Sequence, residues 1–345
     1  MTKTPTQVLR PVGTRTSFTH PDRRRFLGLV WAASAVAQAG PLIASAQELT
    51  RPIRMIVPFA AGGGTDVVAR LVATKMAASL KVPVIVDNRS GAGGSIGANA
   101  VAKAPPDGTT ILMGTVSTQA INPALQRSVP YNPQTDFSPI SLLTRVPQVV
   151  VVNAKLPYRT LNDLITAMKS SPGKVNFGSQ GVGGIAHLMG EMLNSQAGVK
   201  SNHVPYKGAA PALQDLIAGN IEVLYDTLPV LLPHIREGRL RALAVASASR
   251  LPQLPDVPTT AEAGMPQFVA ETWNALYAPA RTSPEIIARL SEASREAVHD
   301  PQIAKQLQDM GARVVGSTPA ELTAFTEQEI KRWGPIVRAS GATTD

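Results

Sequence analysis

The chain has 345 residues, 44% of them apolar, with no cysteine and a formal net charge of +9. The missing thiols exclude disulfides, thiolate catalysis, iron–sulfur clusters and cysteine zinc sites, and an aromatic content of 4% argues against stacking platforms for bases or sugar rings. The first 46 positions hold six basic residues against Asp22 alone, so the other 299 carry 27 basic and 23 acidic side chains, a mildly basic surface and not a nucleic-acid footprint.

The segment 1–46 reads as an export signal. Arg23-Arg24-Arg25-Phe26-Leu27 precedes an alanine-rich run from Leu29 to Ala39, followed by Gly40-Pro41 and the small residues Ala44-Ser45-Ala46. The arginine pair ahead of Phe26-Leu27 is similar to a twin-arginine signal, with Asp22 where Ser or Thr is usual. Cleavage is expected after Ala46. The apolar run ends well short of the roughly 20 residues a membrane span needs, and no cysteine can accept a lipid thioether. The expectation is therefore a periplasmic protein with no stable membrane anchor.

Beyond the leader, apolar strands alternate with helical patterns. A strand at Arg54 to Pro58 runs into Gly62-Gly63-Gly64, with Thr65 as expected N-cap of a helix from Asp66 to Ser79 whose Val67, Val68, Leu71, Val72 and Met76 share one face. A second strand at Pro83 to Val86 meets the glycines between Gly91 and Gly97. Further strands are read at Thr110 to Met113 and Val149 to Val152. The strand at Lys174 to Phe177 opens through Gly178 to Gly184 onto a helix marked by Ile185, Leu188, Met189, Met192 and Leu193. Strands at Glu222 to Tyr225 and Arg241 to Val245 follow. Near the C-terminus, Ser283-Pro284-Glu285 and the capping box Thr318-Pro319-Ala320-Glu321 start two helices. This alternation predicts an α/β fold with largely parallel sheets. The three glycine corners, each a strand opening onto a helix N-terminus, suit a carboxylate or phosphate without help from Lys or Arg.

Two extended apolar segments, Gln148 to Asn153 and Glu271 to Pro279, are read as crossings between domains. They divide the chain into a first domain, 47–150 and 275–345, and a second, 151–274, with a cleft between them that hinge motion would close.

Enzymatic motifs are weak. No GxxxxGK[ST] is present. Gly181-Val182-Gly183-Gly184-Ile185-Ala186 fits a dinucleotide fingerprint, but the following strand ends in Tyr206-Lys207 and offers no acid for a ribose. Gly93-Gly94-Ser95-Ile96-Gly97 satisfies GxSxG, yet Asn88 to Gly94 separates Ser95 from its strand, which makes a helix cap the better reading and an exported serine hydrolase the weaker alternative. His187 and Glu191 stand four apart without a third ligand. No catalytic residue, metal or cofactor is expected.

Pro58-Phe59-Ala60-Ala61-Gly62-Gly63-Gly64-Thr65-Asp66, Asn88-Arg89-Ser90-Gly91-Ala92-Gly93-Gly94, Pro105-Pro106-Asp107-Gly108-Thr109, Asn122-Pro123, Val204-Pro205-Tyr206-Lys207-Gly208 and Asp215-Leu216-Ile217-Ala218-Gly219 occur in order from about Arg51 onward. Together they resemble the Bug (Bordetella uptake gene) family of extracytoplasmic solute receptors associated with tripartite tricarboxylate transporters. The resemblance implies a two-domain type II periplasmic binding fold that closes on a small carboxylate, amino acid or aromatic acid and delivers it to membrane transporter subunits. It places Phe59, Ala60, Gly64, Thr65 and Asp66, with Ser117, Thr118 and Gln119, on one wall. Ser179, Gly181, Gly183, His187, Tyr206 and Lys207 fall on the other, with Asp226 deep in the cleft. Residue by residue, local roles stay open: His187 as a neutral hydrogen-bonding group or a plain core histidine, Lys207 as a solvated turn residue, Asp226 as a turn-forming or ligand-meeting carboxylate. A ligand sensor is the alternative within the binding class. One ligand per chain needs no partner subunit, so a monomer is expected.

Overall fold

A computed structural model describes residues 49–126, 128–206 and 208–342; the export signal and Lys207 lie outside the described residues. β1 (Ile53–Val57), α1 (Gly64–Leu80), β2 (Val84–Asn88), α2 (Ser95–Ala102) and β3 (Thr110–Thr115) come first. A π-type turn (Ser117–Ile121) and α3 (Asn122–Leu125) lead to the 17-residue strand β4 (Phe137–Asn153). α4 (Leu161–Ser170), β5 (Asn176–Ser179), α5 (Ile185–Ala197), β6 (Asn202–Pro205), α6 (Ala209–Ala218), β7 (Val223–Thr227), α7 (Leu228–Arg236) and β8 (Leu240–Val245) follow. The chain ends with β9 (Glu271–Pro279), α8 (Pro284–His299), α9 (Pro301–Asp309), β10 (Arg313–Val314) and α10 (Pro319–Ser340).

Among the described residues ten strands form one sheet, eight of them in the order β2-β1-β3-β9-β4-β7-β5-β6, with β8 and β10 paired to β4 off this path. The outer ladders β1–β2, β1–β3, β5–β6 and β5–β7 are parallel, but every ladder involving β4 or β9 is antiparallel. The largely parallel sheet expected from the alternation is thus a mixed one. The helices supply crossovers only at the flanks, while β4 and β9 come together from distant parts of the chain.

β4 changes partners along its length. Phe137 to Pro147 pairs with β9, and Gln148 to Asn153 lies between β7 and β8. The return path is marked where Ala270 N–H donates to Ala246 and Gln148 N–H donates to Ala270. Among the described residues β9 pairs with β3 and β4.

Periodicity explains what each face covers. Val68, Ala69, Val72, Ala73 and Met76 of α1 bury against Ile53, Met55, Val57, Ile111 and Met113, and α8 closes the same layer with Ile286, Leu290 and Ala297. In the other lobe α6 and α7 pack Leu213, Leu216, Leu228 and Leu231 onto Val149, Val151 and Leu224. A third cluster runs through both lobes, from Ile56 and Leu112 to Phe177, Tyr225 and Trp333. Its polar pin is Glu329 of α10, whose Oε2 accepts from the indole N–H of Trp273 at 3.0 Å and of Trp333 at 3.1 Å. The Trp273 bond ties the C-terminal helix to β9 and the Trp333 bond lies within that helix, since buried indole N–H groups need acceptors.

Candidate ligand cleft

Four helices begin on one cavity, and none has a capping side chain. The N-caps of α1, α2, α5 and α6 are Gly63, Gly94, Gly184 and Gly208, without a side-chain cap bond at any of them. All four glycines line the same cleft, whose volume is about 1220 Å³. Helices α4, α8, α9 and α10, which start elsewhere, are capped by Thr160, Ser283, Asp300 and Thr318. First-turn N–H groups lack helical partners and sit at the positive end of the dipole. At these four termini no side-chain oxygen caps them, although in α2 the Ser95 N–H donates to Ala92 O. The expected N-cap Thr65 instead lies within the first turn of α1 and lines the cleft.

Among the described residues, the lining contains no ionisable side chain. One wall is Phe59, Ala60, Gly64 and Thr65 with the second glycine corner, Ser90 to Gly94, and with Thr115, Ser117 and Asn122. The other is Gln180 to Ile185 with Gly208 and Ala209. Leu125 of α3 reaches Gly183 ahead of α5 so closely that a Cβ built on Gly183 would lie 1.8 Å from Leu125 Cδ2.

Each corner is braced from behind. Asp66, though on the first corner, is buried and turned inward. Its carboxylate accepts from Gly62 N–H (2.9 Å), Arg70 Nε (2.9 Å) and Asn88 Nδ2 (2.9 Å), while Asn88 Nδ2 also donates to Phe59 O (3.0 Å). Burial pushes this carboxyl up, but Arg70, the Gly62 amide and Asn88 outweigh it and hold it below the usual range. At the second corner, Asn122 Nδ2 donates to Gly93 O and to Ser95 Oγ, and Ser95 Oγ donates to Gln126. Ser95 opens α2 as its first residue, so the cap reading is corrected. Its hydroxyl spans two amide side chains, an arrangement that positions a loop and does not activate a nucleophile.

The third corner rests on two histidines. His187 and His203 stack with ring centroids 3.8 Å apart. Gly183 N–H donates to His187 Nδ1 at 3.0 Å, which requires that nitrogen unprotonated, and Ser179 Oγ shares a 2.6 Å bond with His203 Nε2. Burial lowers the affinity of both rings for a proton, and the adjacent His187 helps bring His203 down to about 4. Ser179 is fully buried and bonded to Gly181, so it shapes the loop.

The residues expected at the site therefore separate into two groups. Phe59, Ala60, Gly64, Thr65, Ser117, Gly181 and Gly183 face the cavity. Asp66, Ser179 and His187 stand behind it as braces. Thr118 is buried and bonded to Thr115 N–H, Gln119 is buried behind the wall, and Tyr206 donates to Asp215. Asp226 is buried, accepts from Gln180 Nε2 (2.8 Å) and Thr227 N–H (2.7 Å), and positions Gln180, which lines the cleft. Desolvation pushes its carboxyl up to about 6. Gln180 falls within the Ser179 to Gly184 wall expected from the sequence, whereas Thr115, Asn122, Leu125 and Thr272 line the cleft without having been expected there; of these only Asn122, in the Asn122-Pro123 motif, carried a signal.

A family model described as "Tripartite tricarboxylate transporter family receptor" matches residues 68–342. The chain belongs to this family. Similar relatives of the receptor include Protein BugT of Bordetella pertussis strain Tohama I, 40% identical over 319 residues, covering 92% of this chain and 98% of that protein. Among solved structures, MatC from Rhodopseudomonas palustris with bound malate is 35% identical at a TM-score of 0.77, over 84% of this chain and 99% of MatC. Rpa4515 of R. palustris with adipate is 36% identical at 0.80, over 86% and 99%. The receptor thus has the two-domain periplasmic binding protein fold, and the family consists of solute-binding proteins, not enzymes. No helix among the described residues is long and apolar enough to cross a membrane.

Proposed function

We propose that this receptor is exported to the periplasm, closes on a small organic acid, and hands it to the membrane subunits of a tripartite tricarboxylate-type transporter, acting as a monomer without catalysis. The observation that carries the reading is the set of four glycine-capped, side-chain-free helix N-termini opening on one cleft. Such termini favour carboxylates. Neutral donors such as Thr65 and Ser117 then hold the anion without burying a Lys or Arg. Malate on MatC and adipate on Rpa4515, both in proteins of the same fold, support a carboxylate as the ligand class. In this reading the lobes are 47–150 with 275–345 and 151–274, and the hinge lies where β4 exchanges β9 for β7 and β8.

Thermal unfolding tests it. The protein lacking its first 46 residues, refolded to strip carried ligand, is screened against mono-, di- and tricarboxylates, amino acids, aromatic acids and NAD. A ligand at a hundredfold excess over its Kd adds about 2.7 kcal/mol of stability. Stabilisation by one carboxylate class supports the proposal. Stabilisation by NAD alone, or by no acid, removes it.

A further inference from the structure

Among the buried side-chain oxygens that lack a hydrogen-bond partner, two lie together at the foot of the cleft. Thr115 and Asn274 face each other as direct partners in the antiparallel β3–β9 ladder, and they are 2% and 3% exposed. Asn274 Nδ2 donates to Thr144 Oγ1 at 3.0 Å on the next strand, which leaves Asn274 Oδ1 as a free acceptor. Among the described residues, neither that oxygen nor Thr115 Oγ1 has a hydrogen-bond partner. Thr115 lines the cleft, as does Thr272, two positions from Asn274 on the same face of β9.

Burying a polar oxygen without a partner is unfavourable, and native structures fill such positions with water or ligand. Directly opposed antiparallel residues hold their Cβ atoms about 4.5–5.5 Å apart, so one small group can bridge both oxygens. The donor inventory decides its chemistry. Asn274 Oδ1 can only accept, whereas the Thr115 hydroxyl can donate or accept. A carboxylate placed here would set acceptor against acceptor. An ammonium would have no counter-charge, because the described lining holds no carboxylate, and the buried Asp66, Asp226 and Glu271 near it are already hydrogen-bonded or, for Glu271, ion-paired with Arg145. A hydroxyl satisfies both oxygens without introducing charge.

We infer that Thr115 is a ligand-contacting, specificity-determining residue, oriented with Asn274 to receive a hydroxyl of the bound acid, so that the receptor selects hydroxy acids over their deoxy counterparts. This rests on the organic-acid reading above. The test is titration calorimetry of the purified protein with L-malate and with succinate, which differ by one hydroxyl. Neutral hydrogen bonds each contribute modestly to affinity, so the wild type is expected to bind malate about tenfold more tightly. Thr115→Val, similar in shape, should abolish that ratio, and Thr115→Ser should keep it. The wild-type ratio stands as an independent measurement even if Thr115→Val does not fold. If both acids bind at a wild-type ratio below twofold, or if the ratio survives Thr115→Val, the subsite is wrong and the acid-receptor reading stands. If neither malate nor succinate binds while another acid of the wider screen does, the subsite is likewise wrong and the acid-receptor reading stands; if no acid binds, both fall.

Discussion

Replacing Gly183 by alanine should weaken ligand binding more than it weakens the fold. Gly183 has φ +76, and its added Cβ would lie 1.8 Å from Leu125 Cδ2 and 3.0 Å from Leu125 Cγ. The left-handed backbone costs an L-residue about 1–2 kcal/mol, partly offset by about 0.4–1 kcal/mol from a less flexible unfolded chain. That term acts whether the cleft is open or shut. The overlap with Leu125 is different, because Leu125 belongs to the opposite wall and is only 6% exposed, with little room to swing aside. Overpacking of this kind costs about 1–3 kcal/mol, and only while the walls approach as they do here. The expected result is a loss of about 1 kcal/mol in unfolding free energy and a 5- to 150-fold, order-of-magnitude weakening of acid binding. Calorimetric titration beside thermal unfolding separates the two terms. Adding Leu125→Ala should restore most of the affinity, giving a coupling of about 1–3 kcal/mol between the sites. Unchanged affinity in Gly183→Ala, or additivity of the two substitutions within about 0.5 kcal/mol, would refute the reasoning.

Acidification should destabilise the protein through the stacked pair. Both rings have folded-state proton affinities below the unfolded value, His203 at about 4, so the unfolded chain takes up more protons as pH falls from about 6.5 to 4 and stability is lost across that window. Asp226, raised to about 6, works in the opposite sense by gaining stability as pH falls from 6; Asp226→Asn should therefore steepen the acid loss and His203→Gln flatten it, as read by melting temperature against pH. Asp66→Ala removes three bonds to a buried carboxylate and should lower unfolding free energy by about 2–3 kcal/mol while loosening the first corner, a loss visible in urea unfolding and in acid affinity. Lys81 caps α1 with φ 57 and is exposed. Lys81→Gly should raise stability by about 0.5–1 kcal/mol, detectable as a small rise in Tm, with ligand affinity unchanged.

What the sequence disclosed was local or anchored in motifs. The capping boxes at Thr318 and the Ser283-Pro284 start are self-contained within four residues, and both helices begin there. The glycine corners were legible because a strand, a glycine run and a helix are contiguous. β4 was seen only as Val149 to Val152, since Pro139, Ser141, Thr144, Arg145 and Pro147 break any apolar pattern; pairing with β9, more than a hundred residues away, makes it a strand. The helix start at Gly64 misled for a related reason. Thr65 has the right chemistry for a cap, but Gly63 takes the position. The His187–His203 stack, the reach of Leu125 to Gly183 and the Thr115–Asn274 pair all join residues that no periodicity connects.

The glycine-capped termini have a bearing on how such a receptor changes over generations. Main-chain N–H groups are common to every residue but proline, so most substitutions around the cleft leave the donors themselves in place. Drift can then alter cavity size, or exchange a residue such as Thr115 or Gln180, without erasing the anchor. Ligand preference becomes separable from the capacity to hold an anion, and one scaffold can diversify across many solutes through a few side chains.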